Sequence, residues 1–204
     1  MRKITIIILL FFAADLRSFA QSIYFKTGLN QTSYSFKDQS GEKVTGFIPD
    51  IGSSFELGVG LPFAQDWFKY ELGLSLDSYN STGGDVNNNY SWSTNYGGVK
   101  NTLSFFPTTG ELSLGILALA GASKIFGGTQ VLNNSRYDLK NHPEFNGILF
   151  QAGLGLSLSY NIFKQGFLSL QYDYSKSFRA GEKTEEKLSY LNNRILFGIH
   201  FQLD

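Results

Sequence analysis

Hydrophobic and polar residues alternate along eight stretches of this chain. In the clearest stretch, residues 148–160, the even positions are mostly large and apolar, whereas most odd positions are Gln, Gly or Ser. Successive side chains of a β-strand point to opposite faces, so this pattern predicts strands with one oily face and one small polar face. The predicted strands span residues 23–34, 51–61, 67–79, 96–106, 112–124, 145–160, 167–175 and 191–203.

The connections between these strands alternate in length. Short connections cover residues 62–66, 107–111 and 161–166, and long polar connections cover residues 36–50, 80–95, 125–144 and 176–190. Barrels of the bacterial outer membrane have short periplasmic turns and longer extracellular loops. The pattern therefore predicts an all-β fold, an eight-stranded antiparallel up-and-down transmembrane β-barrel with both termini in the periplasm.

Strands four and five fit the alternation less well than the others. Asn101 falls on the oily face of strand four, and Leu117 and Leu119 fall on the polar face of strand five. Either a β-bulge resets the phase in this hairpin or the predicted boundaries are off by one residue.

The first twenty residues have the layout of a secretory signal peptide. Arg2 and Lys3 precede an apolar run at residues 4–14, and Ser18 and Ala20 occupy the −3 and −1 positions of a cleavage site. The apolar run is too short for a transmembrane helix, which needs about 20 apolar residues. We therefore expect residues 1–20 to be cleaved and residues 21–204 to form one barrel domain.

Charge and cysteine content narrow the choice of partners. Removing the three basic residues and one acidic residue of the signal segment from totals of 17 and 17 leaves a net charge near −2. This near balance argues against a nucleic-acid partner. The sequence contains no Cys, which excludes disulfides, thiolate metal sites and a lipid-anchored N-terminal cysteine.

The polar face distinguishes a membrane barrel from a water-soluble, lipocalin-like barrel whose oily face points inward. A surface that meets water would be rich in Lys, Glu and Thr, but here Gly and Ser dominate, as at Gly58, Gly73, Gly155 and Ser157. Small residues suit a narrow lumen, because the interior of an eight-stranded barrel is just wide enough to be filled by side chains.

Nine longer polar residues share this face, and they carry charges of both signs. An unpaired buried charge costs several kcal/mol, so we expect a paired network across the lumen. The network either only fills and stabilises the barrel, which we favour, or forms a gated ion path or a catalytic charge cluster. Its predicted members are Lys26, Glu56, Lys69, Glu71, Asp77, Lys100, Asp173, Arg194 and His200.

Aromatic residues near the strand ends predict interfacial belts on the outside of the barrel. The alternative is the ordinary preference of aromatic residues for strands. One predicted belt contains Trp67, Phe68 and Tyr70, and the other contains Tyr79, Tyr90, Trp92 and Tyr96.

Residues with catalytic or metal-binding chemistry are few. The only histidines are His142, in a long connection, and His200, on the polar face. A Ser–His–acid set could be assembled from His200, a lumen serine and Glu56 or Glu71, but with this many serines such a set is expected by chance. We predict no catalytic or metal-binding residues and no cofactor.

Four segments carry a family resemblance. They are residues 18–21 (SFAQ), 23–30 (IYFKTGLN), 103–107 (LSFFP) and 193–201 (NRILFGIHF). With these segments and its apolar-glycine hairpins, the mature chain resembles the small outer-membrane β-barrel proteins of Bacteroidetes, the PorT-like group often labelled "porin family". That family implies an eight-stranded barrel in the outer membrane and no shared catalytic residues.

The leading expectation is a non-enzymatic integral outer-membrane protein of OmpA/OmpX-like architecture. It would have a side-chain-filled lumen and four long extracellular loops, and would serve envelope structure or surface interaction. One alternative is a component of a secretion or envelope assembly machine, as the PorT-like resemblance implies, with an envelope or secretion protein as partner. Another is a lipid A-modifying barrel enzyme. Outer-membrane lipid and lipopolysaccharide are the expected surroundings.

Overall fold

The computed structural model describes residues 22–37, 42–44, 46–63, 67–84, 89–108, 110–133, 135–140, 142, 145–163, 165–179 and 187–203. The strands are β1 (Ser22–Lys37), β2 (Lys43–Val44), β3 (Ile48–Phe63), β4 (Phe68–Gly84), β5 (Asn89–Phe105), β6 (Leu112–Leu132), β7 (Ser135–Asp138), β8 (Ile148–Phe163), β9 (Gly166–Arg179) and β10 (Lys187–Gln202). Within these residues, no helix has the length and apolarity needed to cross a membrane. The predicted signal segment, residues 1–20, lies outside the described residues.

Eight long strands close into a barrel. They pair in the order β1, β3, β4, β5, β6, β8, β9, β10, and β10 pairs back with β1. A path through paired residues that starts at Tyr24 and goes once around the barrel returns to β1 at Tyr34, ten residues further along. For eight strands this stagger corresponds to a strand tilt of about 40° and a radius of about 8 Å, a bore that side chains can fill.

The structure confirms the predicted fold class and its eight barrel strands. Several strands are longer than predicted at the end that carries the long connections. β4 continues to Gly84 and β5 begins at Asn89, so most of the predicted loop at residues 80–95 is strand. β6 continues to Leu132 and pairs there with the short β7. The apolar alternation marks only the central part of each strand, whereas the backbone hydrogen bonds continue into polar sequence.

The outer surface of the barrel is apolar. Leu154 is 70% exposed, Leu74 is 66% exposed and Ile116 is 59% exposed, and they belong to a large set of exposed Leu, Ile, Val, Phe and Tyr side chains on the barrel strands. Soluble monomeric proteins rarely expose contiguous apolar patches larger than a few hundred Å². The oily face therefore points outward, as in a barrel that meets lipid and opposite to the lipocalin-like arrangement.

In β5 and β6, inward and outward side chains alternate without interruption around Asn101, Leu117 and Leu119. Leu117 and Leu119 point inward and are 3% and 4% exposed, while Ile116 and Ala118 point outward. Asn101 lies on the outer side, where its side-chain oxygen accepts a hydrogen bond from the Tyr70 hydroxyl. Neither a bulge nor a boundary error explains these residues.

An irregularity does occur further along β6. Asn95 pairs with Gly127 and the next residue, Tyr96, pairs with Ile125, which leaves Phe126 as an extra residue in β6. The inward positions change from odd to even numbers across this bulge, so that Ile125 and Gly128 both face the interior, where Gly128 lies beside Leu139.

Candidate functional site in the barrel lumen

All nine side chains proposed for the lumen are buried there. Their exposed fractions run from 0% for Asp173 to 9% for Lys69. Four of them are cations and four are carboxylates, so the formal charge of the set is zero when the histidine is neutral. Their ion pairs divide them into two groups, each centred on a different residue.

The first group, the arginine cluster, consists of Glu56, Asp77, Lys100, Asp173 and Arg194. Arg194 donates from Nε and Nη2 to the two oxygens of Asp173 at 2.8 and 2.9 Å, and from Nη1 to Glu56 at 2.8 Å. Lys100 bonds Glu56 and Asp77, both at 2.9 Å. Such fork-to-carboxylate contacts are stronger than neutral hydrogen bonds and fix the geometry.

The second group, the histidine cluster, consists of Lys26, Lys69, Glu71 and His200, and it lies toward the end of the lumen with short turns. Glu71 receives one ammonium group on each oxygen, Lys26 on Oε2 and, at 2.8 Å, Lys69 on Oε1. The ring of His200 stacks on Phe167, with centroids 4.2 Å apart and planes 11° apart.

Gln171 connects the two clusters. Its side-chain oxygen accepts from Lys26 Nζ at 3.0 Å, and its amide nitrogen donates to Asp173 Oδ2 at 3.0 Å. With a neutral His200 the histidine cluster has a formal charge of +1 and the arginine cluster −1. The Gln171 amide therefore places its partially negative oxygen toward the positively charged histidine cluster. Its partially positive NH2 group faces the negatively charged arginine cluster.

Among the residues that the structure describes, one Ser–His–acid set comes together. Ser169 Oγ lies 2.9 Å from His200 Nε2, and Glu71 Oε1 lies 3.6 Å from His200 Nδ1. Glu56, the other acid considered, takes its bonds from Lys100 and Arg194 instead.

The proton positions in this set oppose nucleophilic catalysis. Lys69 Nζ lies only 2.9 Å from His200 Nδ1, closer than Glu71 does. An ammonium group can only donate, so Nδ1 accepts and the ring proton resides on Nε2. Nε2 then donates to Ser169 and cannot take its proton, whereas a catalytic triad needs the opposite arrangement.

The far end of the lumen is closed by a tyrosine cluster made of Tyr34, Tyr79, Tyr96 and Tyr190. Each is 6% exposed or less. The Tyr190 ring lies 4.8 Å from that of Tyr34 and 4.9 Å from that of Tyr79, and its hydroxyl lies 3.0 Å from that of Tyr96. The Tyr34 hydroxyl donates to the backbone oxygen of Tyr79 at 2.7 Å.

This finding corrects the predicted second aromatic belt. Tyr79 and Tyr96 point into the barrel instead of toward lipid, and Trp92 and Tyr90 also turn toward aromatic neighbours on the inside, chiefly Phe47. The inward direction of Tyr79 could have been predicted from the sequence, because Tyr79 lies two residues from the inward Asp77 on the same strand. Residues separated by an even number share a face.

The connection after β7 adds an apolar cap above the tyrosines. Leu139 is 2% exposed and Phe145 is 4% exposed, and both belong to one hydrophobic core with the tyrosine cluster. The rings of Phe145 and Trp92 pack nearly perpendicular to each other, with centroids 5.6 Å apart. Part of a predicted loop is therefore packed into the mouth of the barrel.

At the opposite rim, the aromatic residues lie on the outside. Trp67 is 48% exposed, and its ring and that of Phe68 lie 6.1 and 5.0 Å from the ring of Phe105. Tyr70 reaches sideways along the outer face to Asn101.

Glycines make room for one large lumen side chain that the sequence analysis did not single out. Tyr24, 2% exposed, lies across Gly58 and Gly73, and a Cβ atom at either glycine would collide with its hydroxyl. The Tyr24 ring also lies 4.7 Å from Lys26 Nζ and 5.5 Å from His200. Tyr24 lies two residues from Lys26 on β1, so the alternation of faces along the strand could have predicted that Tyr24 points into the lumen.

The part of the chain that the structure describes holds no group of three or more His, Asp or Glu residues placed to bind a metal ion. His142 is exposed.

Comparisons with known proteins concern the architecture alone. No family model and no curated protein matches the chain. Solved structures with a similar barrel include Neisserial surface protein A, with 12% identity over 89% of this chain and 97% of that one and a TM-score of 0.49. Others are a major outer membrane protein from Thermus thermophilus (8% identity, 89% and 99% covered, TM-score 0.49) and the Escherichia coli outer membrane protease OmpT (7%, 90% and 97%, 0.47). These TM-scores are below 0.5, and the fold of this chain follows from its own strand pairing.

Proposed function

We propose that this protein is a non-enzymatic integral barrel of the bacterial outer membrane. It would act in envelope structure or in surface interactions through the four long connections on one end. Exposed leucines and isoleucines around the barrel support a lipid-facing exterior. The proposal includes export by the predicted signal segment and periplasmic termini, which lie at the end with short turns.

The observation that carries this proposal is the filled lumen. The histidine cluster, the arginine cluster and the tyrosine cluster follow one another along the bore, and the apolar cap covers the last of them. A conducting pore needs a continuous water path, whereas here buried polar side chains link strands that are not neighbours around the barrel. Lys69 on β4 reaches His200 on β10, and Arg194 on β10 reaches Asp77 on β4, each across two intervening strands.

Two features support the proposal that the barrel is not an enzyme. The one Ser–His–acid set has its histidine protonated on the wrong nitrogen for a base, and both Ser169 and His200 are at least 96% buried. No contact among the described residues favours a lipid A-modifying enzyme or a component of a secretion machine. Membership of the PorT-like group stays a prediction.

Lipid and lipopolysaccharide are the proposed surroundings of the barrel. Lys124 on β6 and Lys176 on β9 point outward, toward the end of the barrel that carries the long connections, and both are exposed. Cations at this level are suited to lipid phosphates, because the field of an anionic surface favours each nearby Lys or Arg by about 1 kcal/mol.

Planar-bilayer recording of the refolded protein tests the proposal. We expect no stable channels, and the same result for Lys140→Met, a surface control. Large, long-lived conductance steps from correctly folded protein would contradict it. Folding is checked independently by the heat-dependent mobility of the barrel on a detergent gel.

A further inference from the structure

A small polar cavity lies at the short-turn end of the lumen, among the side chains of the histidine cluster. Its walls include the two lysines, the carboxylate of Glu71 and the ring of His200 from that cluster, together with four serines, Ser104, Ser157, Ser159 and Ser169. The open space in it admits about one water-sized particle. Phe106 and Phe167 add apolar surface to its lining.

Three of the four serine hydroxyls have no assigned role in the protein. Ser104, Ser157 and Ser159 make no hydrogen bond to any residue that the structure describes; Ser104 is 3% exposed, Ser157 is 6% exposed and Ser159 is partly exposed. Their hydroxyls line the cavity, so each can donate a hydrogen bond to whatever occupies it.

The fourth serine is oriented by its neighbours. Lys69 donates to His200 Nδ1, and His200 Nε2 in turn donates to Ser169 Oγ, each at 2.9 Å. Ser169 uses its oxygen as the acceptor in this chain, which leaves its own hydroxyl proton to be donated into the cavity. This series of hydrogen bonds, which starts at the Lys69 ammonium group, orients the Ser169 hydroxyl as a donor at the cavity wall.

The charge around the cavity determines what kind of partner fits. Lys26 and Lys69 contribute two positive charges and Glu71 one negative charge, so the nearest ionised groups sum to +1. The compensating negative charge lies in the arginine cluster, on the far side of Gln171. Hydroxyl donors beside a net positive charge favour an anion over a cation, and hydroxyl oxygens alone would have favoured neither.

We propose that this cavity is a binding site for a small monovalent anion of the size of chloride. Ser104, Ser157 and Ser169 donate to the ion, and Lys69 supplies its charge balance. Polyatomic anions such as phosphate or sulfate exceed the space available. The site does not depend on the proposed role of the protein at the cell surface.

Bromide is the probe that tests the site, because its anomalous scattering distinguishes it from water. In crystals of the detergent-solubilised protein grown with sodium bromide, we expect an anomalous peak within hydrogen-bond distance of Ser104, Ser157 and Ser169. The Ser104→Ala/Ser157→Ala variant should lose the peak. Ser177→Ala, a lumen serine near Asn192 and away from the cavity, should keep it.

A solution measurement gives an independent readout. The Tm of the protein in micelles should be higher in sodium chloride than in sodium gluconate at equal ionic strength, for the wild type and for Ser177→Ala. The double serine variant should show no such difference. If the double variant does not fold, each single serine variant should show a reduced difference.

Two results would overturn the proposal. One is a cavity that contains only water at high bromide concentration, without an anomalous peak. The other is a chloride-dependent Tm that persists undiminished in the folded serine variants. Either result leaves the sealed-barrel proposal intact, because conductance is measured separately.

Discussion

Removing Arg194 is the sharpest perturbation of the lumen. Its guanidinium holds both oxygens of Asp173 at 2.8 and 2.9 Å, and the side chains of this pair are 1% and 0% exposed. After Arg194→Met, the one hydrogen bond that Asp173 keeps among the described residues is that from Gln171. Glu56 and Asp77 still share Lys100. The charge of the arginine cluster falls from −1 to −2.

Breaking a buried ion pair by removing one partner costs about 3–5 kcal/mol, because the other charge is left buried and uncompensated. We expect a loss of this size in the free energy of unfolding. Adding Asp173→Asn to the variant removes the orphaned charge, so the double variant should regain about 2–3 kcal/mol relative to Arg194→Met. Arg194→Lys keeps the charge without the fork and should fall between wild type and Arg194→Met.

Urea titration of the protein folded in lipid vesicles measures these differences, with tryptophan fluorescence as the signal and gel mobility as the check on folding. Lys140→Met removes one exposed positive charge and should change the free energy by less than about 0.5 kcal/mol. Simple additivity of the Arg194 and Asp173 substitutions would refute the reasoning, since it would mean that the two groups do not sense each other's charge.

Three further predictions test the exterior, the glycine lining and the tyrosine cluster. Leu154→Arg places a charge on the lipid-facing side of β8 and should destabilise the barrel by about 2–4 kcal/mol in urea titrations, whereas Ile148→Arg at the strand end should cost about 0–1 kcal/mol. Gly73→Ala pushes a methyl group into the Tyr24 hydroxyl and should cost about 1–3 kcal/mol, of which the double variant with Tyr24→Phe should recover a part; no recovery would contradict the assigned contact. Tyr190→Ala should cost about 3–5 kcal/mol and leave planar-bilayer conductance absent, because the histidine and arginine clusters still fill the bore; stable channels would show that the tyrosine cluster alone seals the lumen.

The fold was accessible from the sequence because one periodic signal determines it. A period of two, repeated eight times with alternating long and short connections, specifies strands, faces and hairpin order together. The same parity also places Tyr24, Tyr79 and Tyr96 inside, since each is an even number of residues from a charged lumen residue on its own strand. The prediction of the second belt, at Tyr79, Tyr90, Trp92 and Tyr96, was wrong because it considered residue type and position along the strand but ignored parity.

The partners within the lumen network could not be read from the sequence. Lys26 is the direct ladder partner of Glu56, yet its ammonium group bonds Glu71 and Gln171. Glu56 instead receives Lys100 and Arg194. Each of these contacts reaches past one intervening strand, and they depend on the stagger of the barrel and the lengths of the side chains. Only Arg194 and Asp173, which are both ladder partners and ion partners, follow the local pairing rule.

Leu117 and Leu119 show a different limit. They point inward although the alternation elsewhere assigns large apolar residues to lipid. Composition therefore cannot decide the face of a single residue, and only the unbroken backbone phase of β6 from Leu112 to Ile125 does so.

A nitroxide scan along β8 tests the central claim most directly, and the absence of native Cys makes single-site labelling straightforward. For the protein in lipid vesicles, we predict that collisions with oxygen peak at the even positions, including Phe150, Leu154 and Leu156, and that a water-soluble nickel chelate collides rarely at every position in the strand centre. Nickel collisions that peak at odd positions would reveal a water-filled lumen, and nickel collisions that peak at even positions would show that the apolar face meets water instead of lipid.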